Sequence, residues 1–143
     1  MIDPAGGLNG AMRARDERGL SLSVWTTVAL PAFIVAVGVG VDFSGHAAAE
    51  QEAREVAAQA ARAAVHEVTL TADGPKLDVG AGKRAAQRFA SAAGYAADVQ
   101  LSEASGAQVT LSGTYDTSFL GIIGIHGIAV EGSGTARGVS VTR

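Results

Sequence analysis

The stretch LSLSVWTTVALPAFIVAVGVGV, from Leu20 to Val41, decides the fold of this chain. Its 22 residues carry no charge, and a helix of that length covers about 33 Å, enough for a hydrocarbon core of about 30 Å. Eleven positions are Leu, Ile, Val or Phe, and they favour insertion by roughly 3–6 kcal/mol before the polar residues are subtracted. In a chain of 143 residues, too little other protein remains to bury such a helix on all sides. The stretch therefore predicts a transmembrane helix.

Basic residues flank this stretch unequally. Arg13, Arg15 and Arg18 lie shortly before it, whereas Arg54 is the only Lys or Arg among the fifteen residues that follow it. Because positively charged flanks stay on the cytoplasmic side of a membrane, this asymmetry keeps the N-terminus in the cytoplasm and exports residues 42–143. The sequence predicts a single-pass protein of the cell membrane with an extracellular C-terminal domain.

An alternative interpretation of the same region is a secretory signal peptide. Basic residues, an apolar run and the small residues Ala47 to Ala49 fit one, and cleavage after Ala49 would release a secreted domain that starts at Glu50. Against this alternative, the apolar run exceeds the usual length of about 7–15 residues, and Asp42 lies between it and the cut. We expect Asp42 to be a solvated carboxylate at the membrane edge, because charges at the ends of a span cost little. Both alternatives export the C-terminal region.

Residues 43–68 predict a long helix beyond the span. They contain no proline and no glycine after Gly45, and they are rich in alanine, the strongest helix former. Glu50 and Arg54 stand four residues apart in the order that favours an ion pair on a helix. If the glycines near residue 40 do not interrupt it, one helix runs from Leu20 to Val68 over roughly 70 Å.

One face of this helix carries a narrow stripe of small apolar residues at spacings of three and four, the pattern of a packing surface. The stripe consists of Ala49, Ala53, Val56, Ala60, Ala64 and Val68. Alanine permits close approach but buries little area. The stripe therefore suits either a neighbouring copy, giving a homo- or hetero-oligomer through the N-terminal helix, or the chain's own C-terminal domain. The residues leave both alternatives open.

The remaining residues predict a small head with a helix and a sheet. Residues 71–75 are rich in turn formers and end the long helix, and residues 82–94 have the pattern of a short helix. Polar and apolar residues then alternate over 98–102 and 108–115, which predicts two strands joined by a hairpin.

The end of the chain predicts one more strand or a pair of strands. These cover residues 128–131 and 136–141, interrupted by Gly132 and Gly134. The apolar segment Phe119 to Ile125 is too short to span a bilayer, and we expect it to be core or a connector near the membrane surface. The expected fold class is α+β, with a three- or four-stranded antiparallel sheet. The predicted division is a cytoplasmic segment (1–19), a transmembrane helix (20–41), an Ala-rich helical stalk (42–68) and an exported head (69–143).

Composition and motifs give no sign of catalysis. The net charge of -3 offers no basic surface for nucleic acid, and the absence of cysteine excludes disulfides, thiolate metal sites and a cysteine nucleophile. His46, His66 and His126 are too scattered to predict a metal site, because no two stand at the i, i+4 spacing of ligands on one helix face. No nucleophile, acid and base can be assigned by spacing. The sequence therefore predicts a protein that is not an enzyme and binds no cofactor.

The order of these features resembles a known family. RDERG (Arg15 to Gly19) precedes a span that contains Leu30-Pro31, GVDF (Gly40 to Phe43) follows it, and AAQAARA (57–63) lies in the helix. This arrangement resembles the TadE/TadG-like proteins of tight-adherence (Flp-type) pilus assembly over about residues 15 to 64. Residues 117–124 are similar to an apolar segment that is common late in such chains.

The resemblance implies a minor-pilin or pseudopilin-like role, with membrane lipid and other pilus-assembly or pilin proteins as partners. Related prepilins are cut after a glycine and carry Glu at the fifth mature position. If Gly19 is that glycine, Leu20 becomes the first mature residue and Val24 occupies the fifth position. Without the Glu, we expect the chain to remain uncut as a membrane component of the assembly machinery. The alternative function is a secreted binding or adhesive domain.

Overall fold

A computed structural model describes residues 7–138, with side chains from Leu22 onward. The elements are α1 (Gly7–Val65), β1 (Val68–Thr71), β2 (Gly74–Leu77), α2 (Val79–Ala92), β3 (Ala96–Ser102), β4 (Gly106–Asp116), a 3-10 helix (Leu120–Ile123) and β5 (Gly127–Ala136). The chain divides into two compact units, with the boundary after Gly40. Residues 1–6 of the predicted cytoplasmic segment lie outside the described residues.

The first unit contains the N-terminal part of α1. Among the described residues, one helix, α1, is long and apolar enough to cross a membrane. Only 6% of its most apolar stretch is buried by the rest of the protein. That exposure is opposite to what a buried core helix would show. The hydroxyls of Thr26 and Thr27 donate to the carbonyls of Leu22 and Ser23, at 2.9 and 2.7 Å, so these polar groups are satisfied within the helix. Pro31 lies inside α1 without ending it.

The second unit is the head, an α+β arrangement, so the predicted fold class is confirmed. β3, β4 and β5 form an antiparallel sheet in that order, and the predicted hairpin joins β3 to β4. A separate antiparallel hairpin, β1–β2, surrounds the turn that the sequence predicted at residues 71–75; its two strands were not predicted. Gly74 has a φ of +112° at this turn, a conformation that suits glycine.

β5 passes through both glycines that were expected to interrupt it, so this expectation is wrong. Its buried residues alternate with exposed ones, and Val130, Gly132 and Gly134 all face α1. A Cβ added to Gly132 would lie 2.6 Å from the backbone nitrogen of Arg54, and one added to Gly134 would lie 2.5 Å from the carbonyl carbon of Ala57. Glycine in this strand therefore allows a close approach of helix and sheet. Residues 139–141 of the predicted last strand lie outside the described residues.

The core of the head is built mainly from alanines of the two helices and from branched residues of the sheet. The fully or nearly fully buried apolar side chains are Ala53, Ala57, Ala60, Ala61, Ala64, Ala86, Ala90, Val99, Ala107, Val109, Leu111 and Val130. Small side chains bring the backbones close together but remove little apolar area from water. The stability of the head therefore depends more on close packing than on the area of the buried side chains.

The small-residue stripe of α1 meets the head of its own chain over part of its length. Ala60 and Ala64 are fully buried in the core of the second unit, and Ala53 is fully buried against Gly132 of β5. Ala49 and Val56 are half-buried. α1 ends at Val65, so Val68 belongs instead to β1 and is exposed.

Asp78 caps α2, which begins at Val79 rather than at the expected Gly82. One carboxylate oxygen accepts a hydrogen bond from the backbone nitrogen of Ala81 at 2.9 Å, and the other accepts from the hydroxyl of Thr69 at 3.4 Å. The Ala81 bond holds the pKa of Asp78 below its ordinary value; desolvation opposes this shift and the Thr69 bond supports it.

This cap predicts an acid-dependent loss of stability. Because the folded-state pKa of Asp78 is lower than its unfolded-state pKa of about 3.9, the cap should contribute fully above that value and be lost as the pH falls through the folded-state pKa. We expect Asp78→Ala to lower the urea midpoint of the head at pH 7 and to match the wild type in strong acid. Asp78→Asn, which caps without titrating, should retain most of the pH 7 midpoint. An Asp78→Ala midpoint equal to wild type at pH 7 would contradict the assigned cap.

Candidate functional site

Asp42 is the most unusual residue of the head. Its side chain is 0% exposed. Within residues 22–138, no other polar or charged side chain is buried. It directly follows the predicted span in sequence and lies on the part of α1 that belongs to the head. A buried carboxylate requires partners, because an unpaired charge away from water is very costly.

Three backbone nitrogens supply those partners. The amides of Ser118, Phe119 and Leu120 donate to the Asp42 carboxylate at 2.8, 2.9 and 2.6 Å, with one bond to Oδ1 and two to Oδ2. An ionised carboxylate is purely an acceptor, so three converging N–H groups match its chemistry. The bonds join positions 76 to 78 residues apart and hold the start of the 3-10 helix against α1.

The expectation of a solvated Asp42 is therefore wrong. The sequence placed a charge at the end of a span, where water normally covers it. In the fold, the segment between β4 and β5 covers the carboxylate and replaces water with amide donors. The residues around Asp42 in the sequence do not indicate that it is buried, because its hydrogen-bond donors are backbone groups of a distant segment.

The next turn of α1 adds two more contacts to the sheet. Gly45 lies under the ring of Tyr115, and a Cβ at this glycine would stand 2.6 Å from the Tyr115 Cζ. His46 Nε2 donates to the carbonyl oxygen of Ala129 at 3.0 Å, and its ring meets that of Tyr115 edge-on, with centroids 6.4 Å apart. We call Asp42, Gly45 and His46 the junction residues, because they tie the first turns of α1 in the head to β4, β5 and the segment between them.

The segment held by Asp42 is a closed loop with an apolar tip, here called the apolar loop (residues 117–126). At its base, the Thr117 amide donates to the His126 carbonyl at 3.1 Å, and the Thr117 hydroxyl donates to the Ile125 carbonyl. Phe119, Ile122, Ile123 and Ile125 are 39, 82, 67 and 47% exposed. These side chains are not part of the core, which leaves the second of the two expectations, a connector.

The predicted processing positions all fall within α1. Ala49 and Glu50 lie in the head part of the helix, where Glu50 pairs with Arg54 at 2.8 Å as the sequence predicted. Gly19 and Leu20 lie in the first unit, and their side chains are outside the described residues. A cut after Ala49 would remove all three junction residues from the head and leave the amides of residues 118–120 without their acceptor.

The described residues offer no group of three His, Cys, Asp or Glu side chains that could hold a metal ion. An open groove of about 450 Å³ lies between α2 and β3, lined in part by Arg84, Arg88 and Tyr95. Burial raises the pKa of the Tyr95 hydroxyl, and the nearby Glu52 carboxylate adds to this rise. The groove brings together no nucleophile with a base.

Fold and site together define a class: a small α+β head whose first helix also carries an apolar segment long enough to cross a membrane. Residues 20–67, about a third of the chain, match the family model Tad, described as "Putative Flp pilus-assembly TadE/G-like". The resemblance inferred from the sequence is thereby confirmed, and the match contains Asp42, Gly45, His46 and the buried alanines of α1. Neither the curated proteins nor the solved structures contain a match to this chain.

Proposed function

We propose that this protein is a membrane-anchored structural component, minor-pilin or pseudopilin-like, of a tight-adherence pilus assembly system. The apolar part of α1 serves as the anchor, with the N-terminus in the cytoplasm and the head outside the cell. The head contacts other pilus-assembly or pilin proteins and performs no catalysis. The observation that carries this proposal is the family match over residues 20–67. These residues belong largely to α1, which contains the apolar segment and contributes buried alanines to the core of the head.

The junction residues support retention of the anchor over release of the head. The alternative, a secreted binding or adhesive domain cut after Ala49, would lose Asp42 and with it the acceptor for three backbone amides. Leaving such donors unpaired is costly. The cut would also fall inside a helix whose next residues are packed in the core, where Ala53 is fully buried.

The proposal is tested by isolating the tagged full-length protein from membranes of a cell that assembles tight-adherence pili. We expect an uncut N-terminus and co-purification of pilus-machinery proteins after detergent extraction. An N-terminus at Leu20 would indicate prepilin-type processing, and one at Glu50 would establish release and overturn the anchor. Recovery of the intact protein with none of the machinery would overturn the pilus role.

The anchor itself makes a separate prediction. Two arginines at the helix centre cost about 5–7 kcal/mol, as much as the apolar residues of the span contribute. Ile34→Arg combined with Val35→Arg should therefore move the protein from the carbonate-resistant membrane fraction into the soluble or degraded fraction. The matched control is Leu70→Arg with Ala72→Arg, at two exposed positions of the β1–β2 hairpin, which should stay in the membrane. Membrane retention of the Ile34/Val35 variant would contradict anchoring by this helix.

A further inference from the structure

We propose that the apolar loop inserts its tip into the surface of the bilayer at the point where the chain leaves the membrane, giving the head a second contact with lipid. This inference rests on the proposed anchoring by α1 and adds a role for a different part of the chain. In this proposal, the exposed apolar side chains of the tip contact lipid and not another protein.

The composition of the loop suits a membrane interface. From Thr117 to Ile125 it contains no charged residue, and its two most exposed large side chains, Ile122 and Ile123, are adjacent at the tip. Its base is polar, with the amide and hydroxyl groups of Thr117 donating to the carbonyls of His126 and Ile125, just before β5. An apolar tip on a polar, internally bonded base can enter the acyl boundary without leaving backbone groups unpaired at its root.

The position of the loop supplies the second argument. Asp42 is the first residue after the predicted span, and its carboxylate holds the amides of residues 118–120 within 2.9 Å. The loop is therefore fixed to the residue at which the chain emerges from lipid. Phe43, the next residue of α1, is 71% exposed, so a large aromatic side chain lies at the same level as the loop's attachment. Helices that lie in the interface bury Trp, Phe and Leu side chains at this depth.

Leu70 provides a comparison, because it is as exposed as Ile122 but lies in a different part of the head. Leu70, on β1, is 84% exposed, close to the 82% of Ile122. It lies between two threonines, and its hairpin carries Asp73 and Lys76, which form an ion pair at 3.8 Å. Among the described residues, the hydrogen bonds and ion pairs of this hairpin do not reach Asp42, whose carboxylate bonds to residues 118–120. Leu70 is therefore an exposed side chain of matched size and exposure that should remain in water.

Because the chain contains no cysteine, single labelling sites can be introduced directly. We would reconstitute the full-length variants Ile122→Cys, Leu70→Cys and Val35→Cys in lipid vesicles, attach a nitroxide spin label, and measure collisions with oxygen and with a water-soluble nickel complex. Oxygen concentrates in lipid, whereas the nickel complex stays in water. The Ile122 label should show an oxygen-to-nickel ratio several-fold above that of Leu70 and closer to that of Val35, the reporter in the span.

Two results would overturn the proposal. One is an Ile122 label as open to nickel as the Leu70 label, which places the loop in water. The other is an Ile122 label shielded from both reagents, which places it against a protein surface such as a second copy. In either case, a lipid-type ratio at Val35 would show that the anchor persists, so failure of the loop contact is distinguishable from failure of the proposed anchoring.

Discussion

Replacing Gly134 with valine should strongly destabilise the head. A Cβ at this position would lie 2.5 Å from both the Ala57 carbonyl carbon and the Ala58 Cα, and these are backbone atoms that cannot rotate aside. Helix and sheet would have to separate, exposing the alanine core. Overpacking commonly costs about 1–3 kcal/mol, and we expect at least the upper end here because no flexible side chain can yield. Pulse proteolysis of the full-length protein in urea and detergent would measure the loss as a lower unfolding midpoint.

The matched control is Gly138→Ala, in the segment after β5, where an added Cβ would meet nothing within 4 Å. That variant should keep the wild-type midpoint. Gly132→Val should behave like Gly134→Val, because it faces Arg54 and Ala53 across the same contact. A wild-type midpoint for both valine variants would mean that β5 and α1 do not approach as closely as described.

Replacing Asp42 with asparagine should release the apolar loop. Asparagine has nearly the same shape but offers one acceptor oxygen, and its amide group would face N–H donors that need an acceptor. Hydrogen exchange of the full-length protein in detergent should show the amides of Ser118, Phe119 and Leu120 exchanging at least about tenfold faster, since local opening alone exposes them. The exchange rates of these three amides therefore measure how strongly the loop depends on the Asp42 carboxylate.

Asp98→Asn makes the same chemical change on an exposed position of β3 and should leave exchange of the loop amides unaltered. Amides in the centre of β4, such as those of Val109 and Leu111, should remain protected in the Asp42→Asn variant, which separates loop release from global unfolding. Unchanged protection of residues 118–120 in Asp42→Asn would show that the carboxylate is not what holds them.

Several elements of the fold could be predicted because their causes are local. The absence of charge over Leu20 to Val41, the alanine content of residues 43–65 and the alternation that marks β3 and β4 act through nearest neighbours. The β1–β2 hairpin was missed because its strands are only four residues each, which leaves too short an alternation on either side of the turn at Ala72 and Asp73 to recognise. The glycines of β5 were misread as breaks, although glycines two residues apart in a strand also indicate a close backbone approach.

The sequence by itself determined that this chain has one strongly apolar segment, a long alanine-rich helix and an α+β head, because hydrophobicity and helix propensity add up along the chain. Only the tertiary structure decided the environment of Asp42 and the partner of the alanine stripe. Both depend on contacts between α1 and segments about 75 residues later, namely the apolar loop and the glycines of β5. A carboxylate can be solvated or buried with the same neighbours in sequence, and the donors that a fold brings to it decide which.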